Sequence, residues 1–414
     1  MLNMYKPSNA ASKDKGFTIV ELLIVVVVIA ILATITVVAY NGIQSRARDA
    51  QLKSDLKSAA TQLALYNTQN GTFPPSQASD AGVKDSSSTK FTYTYNPGDN
   101  TYCLVGVGTG ITYTIGTNQQ TPGQYICLST MAGSPTGVAG HTDGIGINAL
   151  LTNPGNLSLG ADNFLYVKDG NGFPTYLRKI DPTTASVTTI FTTNTTLQAM
   201  AIASNGTIYA TSVYPMCIQK IVSGIMTTIG CPAITYPTGI AIGSDGYLYV
   251  TDGDSIIYKI NPTNGAMTIL AGGATKGYVD STTGTVARFT DVGPIVAGSD
   301  GNLYVGDAGN NRIRKVTLAG VVTTVAGTGG AGYVDGAVAQ AQINGPYYLA
   351  IDSANTIYVI DADGRVRKIT SGGTVSTLAN GKIFPNGSGI TASPTSAGTV
   401  YVDSFTSHAI YKLQ

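Results

Sequence analysis

The sequence predicts an α+β amino-terminal part followed by an all-β part that forms a ring of six small antiparallel sheets. Three observations lead to this fold class. Residues 17–39 form one apolar segment that continues into an amphipathic helical pattern. Three short segments of alternating polarity follow it, and their sequences are FTYTY, YCLVGVG and ITYTIG. A six-fold repeat then fills the rest of the chain.

The composition limits the classes of function. The chain has 414 residues, of which 11% are charged, and its formal net charge is +1. Two or three domains are expected at this length, and the nearly neutral charge disfavours a nucleic-acid partner without excluding one. The cysteines fall into two local pairs, which predicts disulfides Cys103–Cys127 and Cys217–Cys231 formed outside the cytoplasm.

The apolar segment is long enough to cross a bilayer. As a helix, residues 17–39 would extend roughly 35 Å, which exceeds the hydrocarbon core of about 30 Å. We therefore expect a transmembrane helix at residues 17–40. Glu21 is the only glutamate in the chain and lies near the start of this segment. A carboxylate at that depth is costly unless it is protonated or paired, so its presence indicates a function.

The stretch KDKGFTIVE, residues 13–21, resembles the processing signal of type IV prepilins and pseudopilins. The resemblance implies that residues 1–16 are a leader peptide, which prepilin peptidase removes by cutting between Gly16 and Phe17. It also implies that Phe17 is then methylated, and that Glu21 pairs with the amine of Phe17 on a neighbouring pilin subunit. The protein would first lie in the cytoplasmic membrane as a single-pass protein and later on the cell surface or in a pilus.

A second helical pattern follows the apolar segment. One stripe recurs at steps of four and three residues, and it consists of Leu52, Leu56, Ala59, Leu63 and Tyr66. Gly71 and Pro74 are expected to end the helix, and pilins commonly close their long helix in a similar way. The three alternating segments are expected to form a small sheet that covers the stripe. Residues 41–126 are thus predicted to be an amphipathic helix with a small β head.

The repeat predicts the blades of a β-propeller. Six segments share one signature, and they read DNFLYV, NGTIYA, DGYLYV, DGNLYV, ANTIYV and AGTVYV. Their tyrosines are spaced by 43, 40, 55, 54 and 43 residues, a period typical of propeller blades. A second element follows each signature and reads RKI, QKI, YKI, RKV, RKI and YKL. Each unit is therefore expected to contain four short strands.

The inter-blade insertions carry a second resemblance. The segments GYVDSTTGTVARF, GYVDGAVAQAQI and DAGNNRIRKV resemble NHL repeats, a family that folds as a six-bladed propeller. The last unit lacks one strand, and CLSTMAG at residues 127–133 matches the missing pattern. We therefore expect this strand to close the ring and residues 127–414 to form the propeller domain.

The predicted propeller offers few groups for catalysis. It contains no glutamate and two histidines, His141 and His408. Enzymes of this architecture hold metals with clusters of such side chains, so we expect no enzyme activity, no metal and no cofactor.

Two polar patterns allow more than one interpretation. Four aspartates follow a repeat tyrosine by three residues, and they are Asp169, Asp252, Asp307 and Asp361. They could form a ligand or calcium face, but Asx turns that end the second strands are favoured. A basic stripe consists of Arg312, Arg314, Lys315, Arg365, Arg367 and Lys368. Contact with nucleic acid or acidic polysaccharide is the alternative there, and solvated side chains at the blade edge are favoured.

These observations predict a structural or adhesive pilin-like subunit. It would assemble with other pilin subunits through its amino-terminal helix in the membrane, and its propeller would bind a carbohydrate or protein ligand. One alternative is a pseudopilin of a DNA-uptake or type II secretion machine. A membrane-tethered propeller lyase or lactonase is the second alternative, which the lack of metal ligands disfavours.

Overall fold

The computed structural model describes residues 19–413, except for residues 76, 87–88, 97–100, 109–110, 117–127, 135–136, 171, 232–233, 379–383, 385–386, 388 and 394–397. Four of the predicted functional positions are outside this description: Gly16, Phe17, the side chain of Glu21, and Cys127. Their roles stay predictions.

One long helix opens the described chain. Helix α1 is Ile19–Asn70, and most side chains of its first half lie outside the described part. Within the part that is described, no helix combines the length and the apolar character needed to cross a membrane. The transmembrane helix at residues 17–40 falls largely on side chains that are not described, so it stays a prediction. The helix ends where Gly71, at φ 77°, donates its N–H to the carbonyl of Asn67 at 2.8 Å, a left-handed cap that suits glycine.

The second half of α1 packs on a small antiparallel sheet. Its strands are β1 (Lys90–Asn96), β2 (Thr101–Gly108) and β3 (Ile111–Gly116), in the order β1-β2-β3. The predicted stripe is buried at Leu52, Leu56, Ala59 and Leu63, with exposed fractions of 0–3%. Gly106 of β2 lets the helix approach, because a Cβ there would lie 2.9 Å from Leu56 Cγ.

The rest of the chain forms six small sheets. Strand β4 (Leu128–Gly133) precedes them in sequence. Blade 1 is β6 (Gly155–Leu159), β7 (Leu165–Asp169), β8 (Thr175–Ile180) and β9 (Ser186–Thr193), with the short β5 (Gly144–Ile145) on its outer edge. Blade 2 is β10 (Leu197–Ile202), β11 (Ile208–Val213), β12 (Met216–Val222) and β13 (Ile225–Gly230). Blade 3 is β14 (Pro237–Ile242), β15 (Leu248–Asp252), β16 (Ile256–Ile260) and β17 (Met267–Gly272).

The remaining three blades follow the same order. Blade 4 is β18 (Val292–Ala297), β19 (Leu303–Asp307), β20 (Arg312–Val316) and β21 (Val322–Ala326). Blade 5 is β23 (Tyr348–Ile351), β24 (Ile357–Ile360), β25 (Val366–Ile369) and β26 (Thr374–Thr377), with the short β22 (Gly336–Ala337) on its outer edge. Blade 6 is β27 (Ile390–Ala392), β28 (Val400–Ser404) and β29 (Ala409–Leu413), completed by β4.

The six sheets form a closed ring. The first strand of each blade contacts the first strand of the next, and β27 of blade 6 contacts β6 of blade 1. Strand β4 pairs antiparallel with β29, from Leu128 opposite Leu413 to Gly133 opposite Ala409. The last blade is thus completed from the other end of the domain, as the missing strand predicts. The outer strands β5 and β22 were not predicted, because two residues carry no detectable alternation.

Aliphatic side chains fill the space between neighbouring blades. At the seam between blades 6 and 1, one buried cluster joins Ala132 of β4 and Ile410 of β29 with Val167 and Leu165 of β7. Because successive side chains of a strand point to opposite sides, each blade contributes to the clusters on both of its sides. The hydrophobic core is therefore divided among the seams of the ring.

Candidate functional site

The ring has two faces, because neighbouring strands of a blade run in opposite directions. One end of the ring carries the turns between the first and second strands and between the third and fourth strands of each blade. We call this end the turn face. The loop face carries the turns between second and third strands and the connections between blades. Leu128, the first residue of β4, pairs with Leu413, the last residue of β29. The chain therefore enters the propeller at the turn face.

On the turn face, the repeat tyrosine and lysine hold the first turn of their blade. The hydroxyl of Tyr304 donates to Asp300 at 2.9 Å, and the ammonium of Lys315 lies 2.8 Å from the same carboxylate. The same three groups recur in blade 1 as Tyr166, Asp162 and Lys179, and in blade 3 as Tyr249, Asp245 and Lys259. The repeat signature is thus explained by a structural role.

These contacts change the acidity of the carboxyl group. Partial burial by itself raises the pKa of Asp300, but hydrogen bonds from Lys315, Asn302 and Tyr304 favour the ionised form more strongly. The pKa of Asp300 consequently lies well below its ordinary range.

The four carboxylates considered as a ligand face lie toward the loop face but are buried. The exposed fractions of Asp169, Asp252, Asp307 and Asp361 are 0%, 1%, 0% and 2%. Asp252 accepts a hydrogen bond from the N–H of Asp254 at 2.9 Å, which is the expected Asx turn. The other three each face an arginine. Because these side chains are almost completely buried, the geometry favours Asx turns and ion pairs over an exposed calcium face.

Three of the buried carboxylates have a buried arginine as their ionic partner. Arg178 lies 2.6 Å from Asp169, Arg314 lies 2.7 Å from Asp307, and Arg367 lies 3.8 Å from Asp361. Each guanidinium also binds an aspartate of the preceding inter-blade insertion, and these are Asp143, Asp280 and Asp335. Each of those aspartates accepts a backbone N–H from the outer part of its blade, at Thr189, Thr324 and Thr377. The arginine therefore fixes the insertion to the blade.

This arrangement corrects the interpretation of the basic stripe. Arg314 and Arg367 have exposed fractions of 0%, so they are neither solvated nor able to contact a nucleic acid. Their neighbours Arg312 and Arg365 lie 3.8 Å above the rings of Tyr278 and Tyr333. The basic residues do recur on neighbouring blades, as the sequence indicates. Burial determines that Arg314 and Arg367 form ion pairs inside the protein.

The histidines and cysteines make contacts that have a structural role. His141 Nδ1 lies 3.0 Å from Asp169 and its ring stacks on Tyr176, whereas His408 Nδ1 accepts the N–H of Asn153 at 3.1 Å. Across the described residues, no three His, Cys, Asp or Glu side chains are grouped as a metal site would require. Cys217 and Cys231 form a disulfide in blade 2. Cys103 is also disulfide-bonded, and its predicted partner Cys127 is not described.

Exposed aromatic rings distinguish the loop face from the turn face. In the described propeller, every phenylalanine or tyrosine classed as exposed lies on a loop-face connection, and these are Phe173, Tyr214, Tyr236, Tyr278, Tyr333 and Tyr347. Tyr236 and Tyr347 directly precede first strands, and Tyr347 also lines the central cavity. Sequence reasoning missed these two residues, although an aromatic residue just before a first strand was a visible signal.

The first strands enclose a cavity of about 330 Å³. Its lining near the loop face includes Asn156, Thr238, Tyr347 and Tyr348. Toward the turn face the lining is aliphatic, and it includes Leu159, Ile202, Ile242, Ala297 and Ile351, the last residues of five first strands. A cavity that is polar and aromatic at one end and apolar at the other is suited to a small organic group.

Comparison with known proteins identifies relatives of the amino-terminal part. A prokaryotic N-terminal methylation motif matches residues 11–37. The type IV wide pilus major component PilA4 of Thermus thermophilus is 30% identical over 98 residues, which are 23% of this chain and 75% of that protein.

Other relatives cover larger shares of the chain. The chloroplastic protein SUPPRESSOR OF QUENCHING 1 of Arabidopsis thaliana is 33% identical over 138 residues, 31% of this chain, which spans only 13% of that protein's length. A protein of unknown function from Bacteroides thetaiotaomicron superposes with a TM-score of 0.56 at 17% identity, over 76% of this chain and 81% of its own. An auxiliary nutrient binding protein from Bacteroides ovatus gives 0.55 at 18% identity, over 76% and 83%. These two structures share the fold alone.

Proposed function

This chain belongs to the type IV pilin family, and we propose that it is a pilus subunit whose propeller binds a ligand at the cell surface. Binding is non-covalent in this proposal, and adhesion to another cell or surface is its consequence. Many copies on one filament would raise a weak affinity through avidity.

The direction of chain entry is the observation that carries the proposal. The chain enters the propeller through β4 at the turn face, so the loop face is the end of the propeller that lies away from the point of entry. The exposed aromatic rings lie on loop-face connections, and the polar end of the cavity lies there. A subunit held by its amino terminus would therefore present its binding surface outward.

Processing follows the family pattern in this proposal. Prepilin peptidase would cut between Gly16 and Phe17, and the new amino terminus would pair with Glu21 of a neighbouring subunit in the membrane and in the filament. The motif that matches residues 11–37 supports this assignment. Amino-terminal sequencing of the mature protein should give Phe17 as the first residue. Any other first residue would contradict the proposed cleavage site.

Labelling of filaments tests the display function. Sheared filaments should bind an antibody against the propeller, and a strain whose chain is truncated after residue 127 should adhere less to surfaces while it still forms filaments. Membrane-bound protein without any labelled filament would instead favour a pseudopilin of a secretion or DNA-uptake machine. Unchanged adhesion by the truncated strain would contradict a binding role for the propeller.

A further inference from the structure

The central cavity is lined by the edges of strands. In every blade, consecutive residues of the first strand or directly beside it line the cavity, and these are residues 156–159, 199–202, 238–242, 294–297, 347–351 and 389–391. Successive side chains of a strand point to opposite faces, so a lining face would contribute only every second residue. The consecutive residues therefore indicate that each first strand turns one edge to the cavity.

These edges carry backbone groups that have no partner strand. Each first strand lies at the end of its sheet and pairs only with the second strand of its own blade. Its other edge consequently presents N–H and C=O groups outside the ladder. One hydroxyl already binds a carbonyl of a first strand, because Ser158 of blade 1 donates to the carbonyl of Met200 of blade 2 at 2.8 Å. A ligand hydroxyl can make the same kind of bond.

The unpaired backbone groups limit what can occupy the cavity. Enclosed N–H and C=O groups are costly without hydrogen bonds, so an apolar molecule that displaced water from them would bind poorly. A suitable ligand has to offer donors and acceptors in several directions, since strand edges surround the space. Hydroxyl groups both donate and accept. A compact molecule with several hydroxyl groups meets this requirement, whereas an extended peptide can pair only with an edge that runs beside it.

The side chains of the lining exclude a charged ligand. Among the described residues that line the cavity there is no Asp, Glu, Lys, Arg or His. A charged group that entered the cavity would lose its hydration without gaining an ionic partner, which is costly. The lining offers neutral amide and hydroxyl groups instead, and they belong to Asn156, Ser158, Thr238, Thr391 and two tyrosines. The ligand is therefore expected to be uncharged.

The size of the cavity and one aromatic ring narrow the ligand class further. The volume of about 330 Å³ is at the lower end for small-molecule sites, which range over roughly 300–1,000 Å³. Tyr347 lines the cavity and is 53% exposed, so part of its ring is free to pack against a ligand. A sugar ring suits such a partner, because its C–H groups form an apolar face while its hydroxyl groups stay at the rim.

We propose that the central cavity of the propeller binds small neutral saccharides. In this inference the strand edges and Asn156 bind the sugar hydroxyls, and Tyr347 packs against the sugar ring. The inference rests on the proposed function, because it names the ligand class of the displayed propeller. It assigns selectivity against charge to the uncharged lining and selectivity against apolar molecules to the backbone groups.

Calorimetric titration of the full chain, in a detergent without a sugar head group, tests the proposal. The probes are glucose, galactose and mannose, each beside its uronate, which keeps the ring and adds a negative charge. Cyclohexanol is the apolar probe, since it has a ring of the same size and a single hydroxyl group. At least one neutral sugar should bind, and it should bind about tenfold or more tightly than its uronate and than cyclohexanol.

Two variants in the lining should weaken the binding of that sugar. Tyr347→Ala removes the packing surface and should weaken binding by about tenfold. Asn156→Gly keeps the left-handed backbone, at φ 54°, and removes the amide, so binding should weaken by about threefold or more. The matched controls are Tyr214→Ala, a 68% exposed ring of the loop face outside the lining, and Asn163→Gly, at φ 62° in a turn-face turn. Both controls should leave the titration unchanged.

Several outcomes would overturn the proposal. They are no binding of any of the three sugars, equal binding of a sugar and its uronate, and binding of cyclohexanol as tight as that of the sugars. Unchanged binding by Tyr347→Ala and Asn156→Gly proteins that retain the circular dichroism of the wild type would also overturn it. The display function is judged separately: reduced adhesion of the truncated strain without sugar binding would overturn only the ligand class. Sugar binding by a chain that never enters filaments would overturn only the display function.

Discussion

Arg314 shows how much one side chain can hold together in this fold. It is completely buried, and its guanidinium binds Asp307 of its own blade and Asp280 of the insertion. It also donates to the backbone carbonyls of Arg288 and Val279. Such a pair contributes little net stability when it is intact, but removal of one partner leaves a buried charge without compensation.

Arg314→Met should therefore lower the free energy of unfolding by about 3–5 kcal/mol. The control is Arg312→Met, two residues earlier on the same strand, which removes a partly exposed side chain that stacks on Tyr278. It should cost about 1 kcal/mol or less. Denaturant unfolding of the full chain in detergent, followed by circular dichroism, measures both. Equal losses for the two variants would contradict a special role of Arg314.

The lowered pKa of Asp300 should make the stability of the protein depend on pH. Its pKa in the folded protein lies below the ordinary value of 3.8, so its ionised form stabilises the fold above that pH. The stabilisation is lost as the pH falls through the folded pKa. Asp300→Asn should cost about 1 kcal/mol at pH 7 and progressively less as the pH is lowered from 4 toward 2.

Thermal unfolding at several pH values tests this dependence. Asp254→Asn, which changes an exposed carboxyl group on the loop face, is the matched control and should have an effect within about 0.5 kcal/mol at every pH. If the wild-type protein and Asp300→Asn differ by the same amount at pH 3 and at pH 7, the assigned role of the turn-face contacts is wrong.

At the scale of elements, the contact between α1 and its sheet depends on one glycine. A Cβ at Gly106 would lie 2.9 Å from Leu56 Cγ and 3.0 Å from Leu52 Cδ1. Because those leucines are 0% and 2% exposed, they have little room to move. The close approach of helix and sheet thus requires the absence of a side chain at this position.

Gly106→Val should overpack this interface and destabilise the head by about 1–3 kcal/mol. Val107→Ala, at the neighbouring and 44% exposed position, is the control and should have little effect. Hydrogen exchange measured by mass spectrometry should show faster exchange in residues 46–70 of the Gly106→Val protein, with the propeller unchanged. Equal exchange in both variants would show that the interface tolerates the added side chain.

At the scale of the whole molecule, the family assignment predicts how the subunit assembles. In the proposed function, Glu21 pairs with the cationic amine of Phe17 on a neighbouring subunit. Glu21→Gln keeps the shape of the side chain and removes its charge, so membrane insertion should be retained while incorporation into filaments falls at least tenfold. Immunoblots of sheared filaments and of membranes separate the two steps, and the membrane fraction is the control. Normal incorporation would refute the pairing.

Local signals in the sequence predicted the elements. The steps of four and three residues predicted the buried stripe on α1, and the alternating segments predicted the strands of its sheet. The spacing of the repeat tyrosines predicted six units, and the missing last strand predicted the role of β4. Each of these signals needs only neighbouring residues, because helix and strand periodicities and turn preferences act over a few positions.

Only the tertiary structure decided which charges are buried and where the site lies. Arg314 meets Asp307 seven residues away through strand register, but it meets Asp280 34 residues away through the folding of an insertion. Asn156, Thr238 and Tyr347 belong to three different blades and line one cavity only because the ring closes. Closure, burial and the direction of each face depend on contacts between distant segments, and a single sequence carries no local signal for such contacts.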